Sequence, residues 1–540
     1  MLAHSATLHF KSTLELMANL LTDSLTFLGK AYAEGPLEFN RGIEREALRV
    51  DAAGNLAQTP HPEFLGSKLT HPTITTDFSE SQVELITPVA KTADAALSLL
   101  NDVHRYVYSG LGEESLWSAS MPCALGDDQS IPLAQYGPSN LGRLKTTYRH
   151  GLSNRYGRAM QTICAIHYNF SVDASLWQHL AHLEKQTNDK HYRSRRYFDL
   201  MRNFRRLSWL PVYLFGASPA VCKSFVKGRK HALHDFDADS LFLEKATSLR
   251  NGDLGYQSET QAGMLDVCYN SLDNYIGTLA KAICTPHEIY QKLGVKHGQE
   301  YLQVSGNILQ SEAEFYTTIR AKCVPPKGAN FLTTLKAEGV EYIEVRLLDV
   351  NPYLPLGIDE TQIHFLDAFL LYCLLTASPE HDPALCASVS SNLRAVVHNG
   401  QDTSTSIENL GQQQSIKTWG QAVLLDVMHV ARWLDKTNGV DVYAASVSAQ
   451  QAKLMDSGKI PSARIIADMR AESSSFFRFA MNQSQAHKAE FERQALSQTE
   501  LTYFQALSEK SLREQAQIEA TPGPSFDDYL AAMLKTYKSL

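Results

Sequence analysis

Two periods of apolar and polar residues alternate along this chain. Residues from about 37 to 90 read as strands and turns, and in four short segments, near 42–48, 80–86, 166–171 and 341–347, polar and apolar residues alternate, the period of a strand with one buried face. Helical spacing takes over from Ala93 to Val107, where Ala95, Leu97, Leu99, Leu100 and Val103 supply an apolar face, and from about Glu360 onward. Ala52-Ala53-Gly54-Asn55 reads as a hairpin-like connection. Ala486 to Ala520 reads as an exposed helical pair, Thr521-Pro522-Gly523-Pro524 breaks it, and Ser525 is placed to cap a last helix. At the other end, Ser12 and Glu15 before Leu16 and Leu20 have the spacing of a capped amphipathic helix. The expected organisation is a helical leader over 1–36, a core over 37–375 and a mainly helical region over 376–540 packed on it.

Four of the alternating segments carry acids, or a His and an Asn, at their polar positions. Glu44 and Glu46 share one strand face, as do Glu80 with Glu84, His167 with Asn169, and Tyr342 with Glu344 and Arg346. A solvated antiparallel face accounts for one such strand, but four rich in Glu rather than in mixed Lys, Thr and Ser fit it less well. Clustered carboxylates raise one another's pKa unless cations neutralise them. An oxygen-rich set with one imidazole suits Mg2+ or Mn2+ better than zinc, and Mg2+ shares its remaining positions with waters and substrate phosphates. A metal-phosphate site on one sheet face is the reading these residues support.

Bulk properties narrow the classes. An apolar fraction of 44% and a charged fraction of 20% are those of an ordinary globular protein, and a net charge of -8 disfavours a general nucleic-acid binder. The one basic stretch with aromatics, His191 to Arg206, places Tyr197, Met201 and Phe204 at helical spacing, so a core-facing helix with a basic outer side is expected. Cys123, Cys164, Cys222, Cys268, Cys284, Cys323, Cys373 and Cys386 form no C-x-x-C pair and lie in mostly apolar surroundings, which reads as reduced, buried thiols of a cytosolic protein. No signal peptide is evident, and the longest apolar stretch, Phe365 to Leu375, is interrupted by Asp367 and too short to span a bilayer. A soluble cytoplasmic protein, without membrane or nucleic-acid partners, is expected.

Leu133 to Gly157 packs four glycines among Arg143, Lys145, Arg149, Arg155 and several tyrosines, which is loop composition with positive charge, either a glycine-rich surface loop or a basic cover that approaches phosphates. Its Gly137 and Gly142 have P-loop spacing, but Arg143 stands where the lysine is needed and Lys145-Thr146 is displaced, so a Walker A motif is rejected.

Several motifs in order resemble the bacterial glutamate-cysteine ligase family, proteobacterial type. They are Arg41-Gly42-Ile43-Glu44-Arg45-Glu46, Thr75-Thr76-Asp77-Phe78-Ser79-Glu80, Met160-Gln161-Thr162-Ile163 with His167-Tyr168-Asn169-Phe170, and Glu341-Tyr342-Ile343-Glu344-Val345-Arg346. Leu214 to Pro219 and Ser248-Leu249-Arg250 with Asp253 to Tyr256 extend the match, which covers about 37 to 375 and continues more weakly to Ile465. The resemblance implies an α+β fold related to glutamine synthetase, with a curved antiparallel sheet forming a funnel. It also implies ATP-dependent ligation of the gamma-carboxylate of L-glutamate to the amine of L-cysteine through a gamma-glutamyl phosphate, the first step of glutathione synthesis, with Mg2+ or alternatively Mn2+.

By position, the family's metal motifs fall on Glu44, Glu46, Asp77, Glu84, His167 and Glu344, with Asp77 open to a second role as the base that accepts the ammonium proton. Glu344, Asp77 and Arg346 are the implied catalytic residues. Lys145, Arg149 and Arg346 are placed for ATP, and Phe78, Tyr148, Leu152, Gln161, Ile163, Asn169, Arg250, Tyr256 and Tyr316 for the amino acids. Feedback inhibition by glutathione and a monomer are further implications. Cys386 to Ser406 and much beyond Met469 match the family poorly. A sister ligase with another amine acceptor, a metal-dependent phosphohydrolase and a catalytically silent binder are the competing readings. The first would change the amino-acid positions and the last the floor, and both sets are retained.

Overall fold

The computed structural model describes residues 20–33, 35–255, 261, 265 and 267–540. The Ser12 to Glu15 cap and Tyr256 lie outside the described residues. Seven strands form an antiparallel sheet: β1 Phe39–Val50, β2 Ile74–Thr76, β3 Gln82–Ile86, β4 Ser115–Leu116, β5 Ile166–Val172, β6 Ile319–Lys322 and β7 Tyr342–Leu348. They are ordered β6-β7-β5-β1-β3-β2, with β4 on the far end of β1. The long β1 pairs with β5 along its first half and with β3 along its second, so Glu44 stands opposite His167 and Glu46 opposite Glu84. Glu344 of β7 stands between Asn169 of β5 and Arg320 of β6. The register between β5 and β7 shifts between Val345 and Leu348, around Arg346, the kind of irregularity that re-aims a side chain.

The other sheet face is apolar, with Ile43, Val83, Tyr168, Phe170, Ile343 and Val345 fully buried. Helix Glu360–Leu375 lies behind it and is buried on all sides, which explains the long apolar stretch in the sequence. Its Asp367 accepts bonds from Arg41 of β1, at 2.6 and 2.9 Å, and from the Tyr168 hydroxyl at 2.6 Å. Among the described residues no helix is long and apolar enough to cross a membrane. One apolar core runs from Leu21 to Tyr537, so helices after residue 375 share it with the sheet. The last helix, Phe526–Lys538, is capped by Ser525 as expected.

Three local expectations need correction. Residues Asn140–Tyr156 form a helix, not a loop. Gly137 precedes it in a left-handed turn (φ 87°), and at Gly142 a Cβ would lie 2.4 Å from the Tyr136 carbonyl oxygen, so these glycines serve the tight entry to a helix capped by Ser139. The 190–207 helix does bury Tyr197, Met201 and Phe204, but Arg196, Arg202 and Arg206 are buried too, the first two bonded to Asp199 and the third to Asn409. Cys123 and Cys222, 99 residues apart, are joined in a disulfide with Cα atoms 5.3 Å apart, whereas Cys164, Cys268, Cys284, Cys323 and Cys373 are free. Their closeness is tertiary, since Cys222 ends the short strand Ala220–Cys222 and no sequence spacing encodes the pair.

His61 yields a pH prediction. Among the described residues neither ring nitrogen has a hydrogen-bond partner, and burial, with Lys68 beside it, depresses its pKa to about 3. The folded state therefore binds fewer protons than the unfolded state between about pH 3 and the usual histidine value near 6.5. Stability falls as pH drops through that window, at up to about 1.4 kcal/mol per pH unit. Denaturant midpoints of wild type and His61→Gln at pH 7 and pH 5 are expected to show a smaller acid loss in the variant, and equal losses would contradict the assignment.

Candidate active site

The alternation of β1, β3, β5 and β7 brings acids to one place. An oxygen of Glu44, an oxygen of Glu84 and a ring nitrogen of His167 lie within 4.8 Å of one another. His167 Nδ1 is 3.1 Å from Glu44 and 4.0 Å from Glu344, and its Nε2 is 3.7 Å from Glu46. Asn169 donates to Glu44 at 2.8 Å. Gly42 stands opposite Asn169.

Cations border the acids. Lys322 and Arg346 lie 3.4 and 3.1 Å from the two Glu344 oxygens. Burial alone would raise the Glu344 carboxyl, yet Lys322, Arg346, His167 and Arg320 together hold it well below the usual carboxylate range. Burial and Glu344 push Glu44 upward, but His167 and Lys322 outweigh them and its pKa is lowered. Burial, with Asp77 and Glu84 nearby, raises Glu46 well above the usual value, and burial with Glu44 and Asp77 raises Glu84 to about 8. Burial and Arg149 lower Lys145 to about 8. Half of the floor is thus neutralised by cations on its own sheet, and the other half holds carboxyls whose ionisation added positive charge would favour.

These groups floor a cavity of about 570 Å³. Helix Asn140–Tyr156 lies along it and supplies Leu144, Lys145, Tyr148, Arg149 and Leu152 at helical spacing, while Asp77, Phe78, Gln161 and Tyr316 close its sides. Gln161 Nε2 donates to the Tyr316 hydroxyl at 2.9 Å, and Arg149 donates to the Asp77 carbonyl oxygen. Arg250 lines a neighbouring cavity of about 450 Å³ that shares Tyr316 and Arg346 with the first. It donates to the Arg346 carbonyl oxygen at 2.7 Å and lies 3.5 Å from Asp349.

Two residues singled out from the sequence lie elsewhere. Ile163 is fully buried and outside the described lining of either cavity. Glu80, grouped with the acidic face, sits in the turn before β3 and is held by Lys68 and by the amides of His61 and Gln135. Strand alternation does not extend through a turn, so its carboxylate leaves the floor. Arg320 and Lys322, by contrast, join the site without a family motif to mark them, although their period-two spacing on β6 carries the same signal as Glu44 and Glu46. Met533, Tyr537 and Glu312 also line the cavity without any local motif to mark them.

The donor set fits a hard divalent cation. Clustered carboxylates with a single imidazole match Mg2+ or Mn2+ chemistry, and the buried Asn169 Oδ1 has no hydrogen-bond partner among the described residues. An acidic pocket ringed by Lys145, Arg149, Arg320, Lys322 and Arg346 can hold a polyanion together with such ions, beside a polar, tyrosine-walled space for small molecules.

Relatives bear on this arrangement. The glutamate-cysteine ligase family model matches residues 27–396. The chain is 47% identical over 519 residues to the glutamate-cysteine ligase of Pseudomonas putida, covering 96% of this chain and 98% of that one. It is 46% identical over 497 residues to that of Alcanivorax borkumensis, covering 91% and 94%. Among solved structures, a glutamate-cysteine ligase from Francisella tularensis in complex with AMP gives a TM-score of 0.88 at 32% identity, covering 94% of this chain and 99% of that chain. A bifunctional glutathione synthetase from Pasteurella multocida shares the fold, with a TM-score of 0.67 at 23% identity over 90% of this chain and 57% of that one. The chain belongs to the glutamate-cysteine ligase family. The α+β fold with its antiparallel sheet is the one expected.

Proposed function

We propose that the protein joins the gamma-carboxylate of L-glutamate to the amine of L-cysteine at the expense of ATP, giving gamma-glutamylcysteine, ADP and phosphate. The observation that carries this reading is the acidic floor bordered by five cations at one side of a cavity whose other walls are Phe78, Tyr148, Leu152, Gln161 and Tyr316. Glu44, Glu46, Glu84, His167, Glu344 and Asp77 would hold Mg2+ or Mn2+, which supplies positive charge to the phosphate oxygens when bound. Lys145, Arg149 and Arg346 bind the phosphates of ATP. Arg346, fixed against Glu344, stabilises charge on the transferring phosphoryl group as a glutamate carboxylate oxygen bonds to phosphorus and ADP leaves.

In the second half, the cysteine nitrogen bonds to the acyl carbon, the bond from that carbon to the phosphate oxygen breaks, and the ammonium proton passes to a base, a role open to Asp77, which lines the same cavity, as an alternative to holding metal. The catalytic unit spans 37–375, with 376–540 packed on it, and the protein works as a cytoplasmic monomer. Tyr148, Gln161 and Tyr316, which line the cavity, orient the two amino acids, the resemblance adds Asn169 and Tyr256 to them, and Arg250 holds a substrate carboxylate from the neighbouring cavity.

Arg250→Ala is expected to raise the KM for cysteine by about ten-fold or more with a smaller change in kcat, as loss of a ground-state hold does. An unchanged cysteine dependence in initial-rate kinetics would remove Arg250 from the pocket. Glutathione shares the glutamyl and cysteinyl parts of the product and is expected to inhibit. Full activity across a glutathione titration would count against that. The reaction itself is tested by following ADP and dipeptide together, with and without the acceptor.

A further inference from the structure

The last helix, Phe526–Lys538, begins 130 residues after the family match ends at residue 396, yet it reaches the reaction cavity through Met533 and Tyr537. Its seat is specific. Phe526 and Leu530 form a small apolar core with Val304, and Leu144, Tyr148 and Met533 pack against it, so the helix that carries Lys145 and Arg149 is braced by the last helix. The Arg143 guanidinium lies 4.2 Å from the centre of the Phe526 ring, and Asn140 donates to the Pro524 carbonyl oxygen at 2.9 Å. At the far end, buried Tyr537 donates its hydroxyl to Glu312 at 2.6 Å, and Glu312 lines the cavity.

We propose that this helix is the water-excluding wall of the reaction cavity, with Met533 and Tyr537 as positioning residues that close the space in which the acyl phosphate waits for the amine. The inference rests on the function proposed above. An acyl phosphate has two available fates. Attack by the amine nitrogen forms the C–N bond and releases phosphate with the electron pair of the broken C–O bond. Attack by water forms a C–O bond, releases the same phosphate and returns glutamate. ADP appears in both cases and the dipeptide in only one, so the ratio of ADP to dipeptide reads how well water is excluded.

The test measures that ratio at saturating ATP, glutamate and cysteine for wild type, Met533→Ala, Met533→Leu and Tyr537→Phe, with thermal unfolding of each. Wild type is expected near a ratio of one. Met533→Ala opens the wall and is expected to raise the ratio about two-fold or more, because dipeptide formation falls further than ADP release. Met533→Leu refills the space and is expected to return the ratio toward one. Tyr537→Phe keeps the ring and fold while freeing Glu312, so it gives a reading even if Met533→Ala fails to fold, and its ratio is also expected to rise. Ratios that stay at one in the folded variants, with both products falling together, would overturn the wall and leave the helix a brace. A wild type that makes no dipeptide overturns the functional reading, and this inference with it.

Discussion

Glu344→Gln is expected to lower dipeptide formation by about 10²–10³-fold or more, with an unfolding temperature close to that of wild type. Glu344 is 1% exposed and ionised, because Lys322, Arg346, His167 and Arg320 overcome the cost of its burial. The amide keeps the size of the side chain and removes the charge that orients Arg346 and holds Lys322. Both cations retain access to water, with side chains 19% and 24% exposed, so they can turn outward and the folded protein persists. Steady-state kinetics with ATP, glutamate and cysteine, alongside a thermal melt, separates lost chemistry from lost structure. Normal turnover would refute the assignment of the floor.

Asp367→Ala is expected to destabilise the protein by about 3–5 kcal/mol, the usual result of removing one partner from a buried ion pair. Arg41 and Asp367 are 3% and 0% exposed, and the Tyr168 hydroxyl depends on the same carboxylate. Removal strands a guanidinium between the sheet and the helix behind it. Asp367→Asn retains an acceptor for Tyr168 and is expected to cost less. The pair lies on the sheet face away from the acids, so well below the unfolding transition kcat is expected to change little. Denaturant midpoints check the prediction, and an unchanged midpoint for the alanine variant would contradict it.

The floor of the site was legible because a strand's period is two. Glu44, Glu46, Glu84, His167 and Glu344 each announce a face by their spacing, and antiparallel pairing then brings the faces together without further information. The same rule misplaced Glu80, since a turn precedes β3 and breaks the alternation. Composition misled at Leu133 to Gly157, where glycines that permit a tight helix entry resemble those of a loop. Arg320 and Lys322 have period-two spacing, but their place at the site depends on the pairing of β6 with β7, which sets Glu344 between Arg320 and β5. The Cys123–Cys222 bond and the approach of Met533 and Tyr537 depend on contacts across 99 residues and across most of the chain, which no local period encodes.

The most direct test of the central claim is ADP release by the purified protein with Mg-ATP and glutamate, compared without acceptor, with cysteine and with 2-aminobutyrate, with the peptide product followed by mass. The predicted result is ADP formation that requires both amino acids and is matched by gamma-glutamylcysteine. ADP formed equally without an acceptor, or a dipeptide formed only with some other amine, would contradict it.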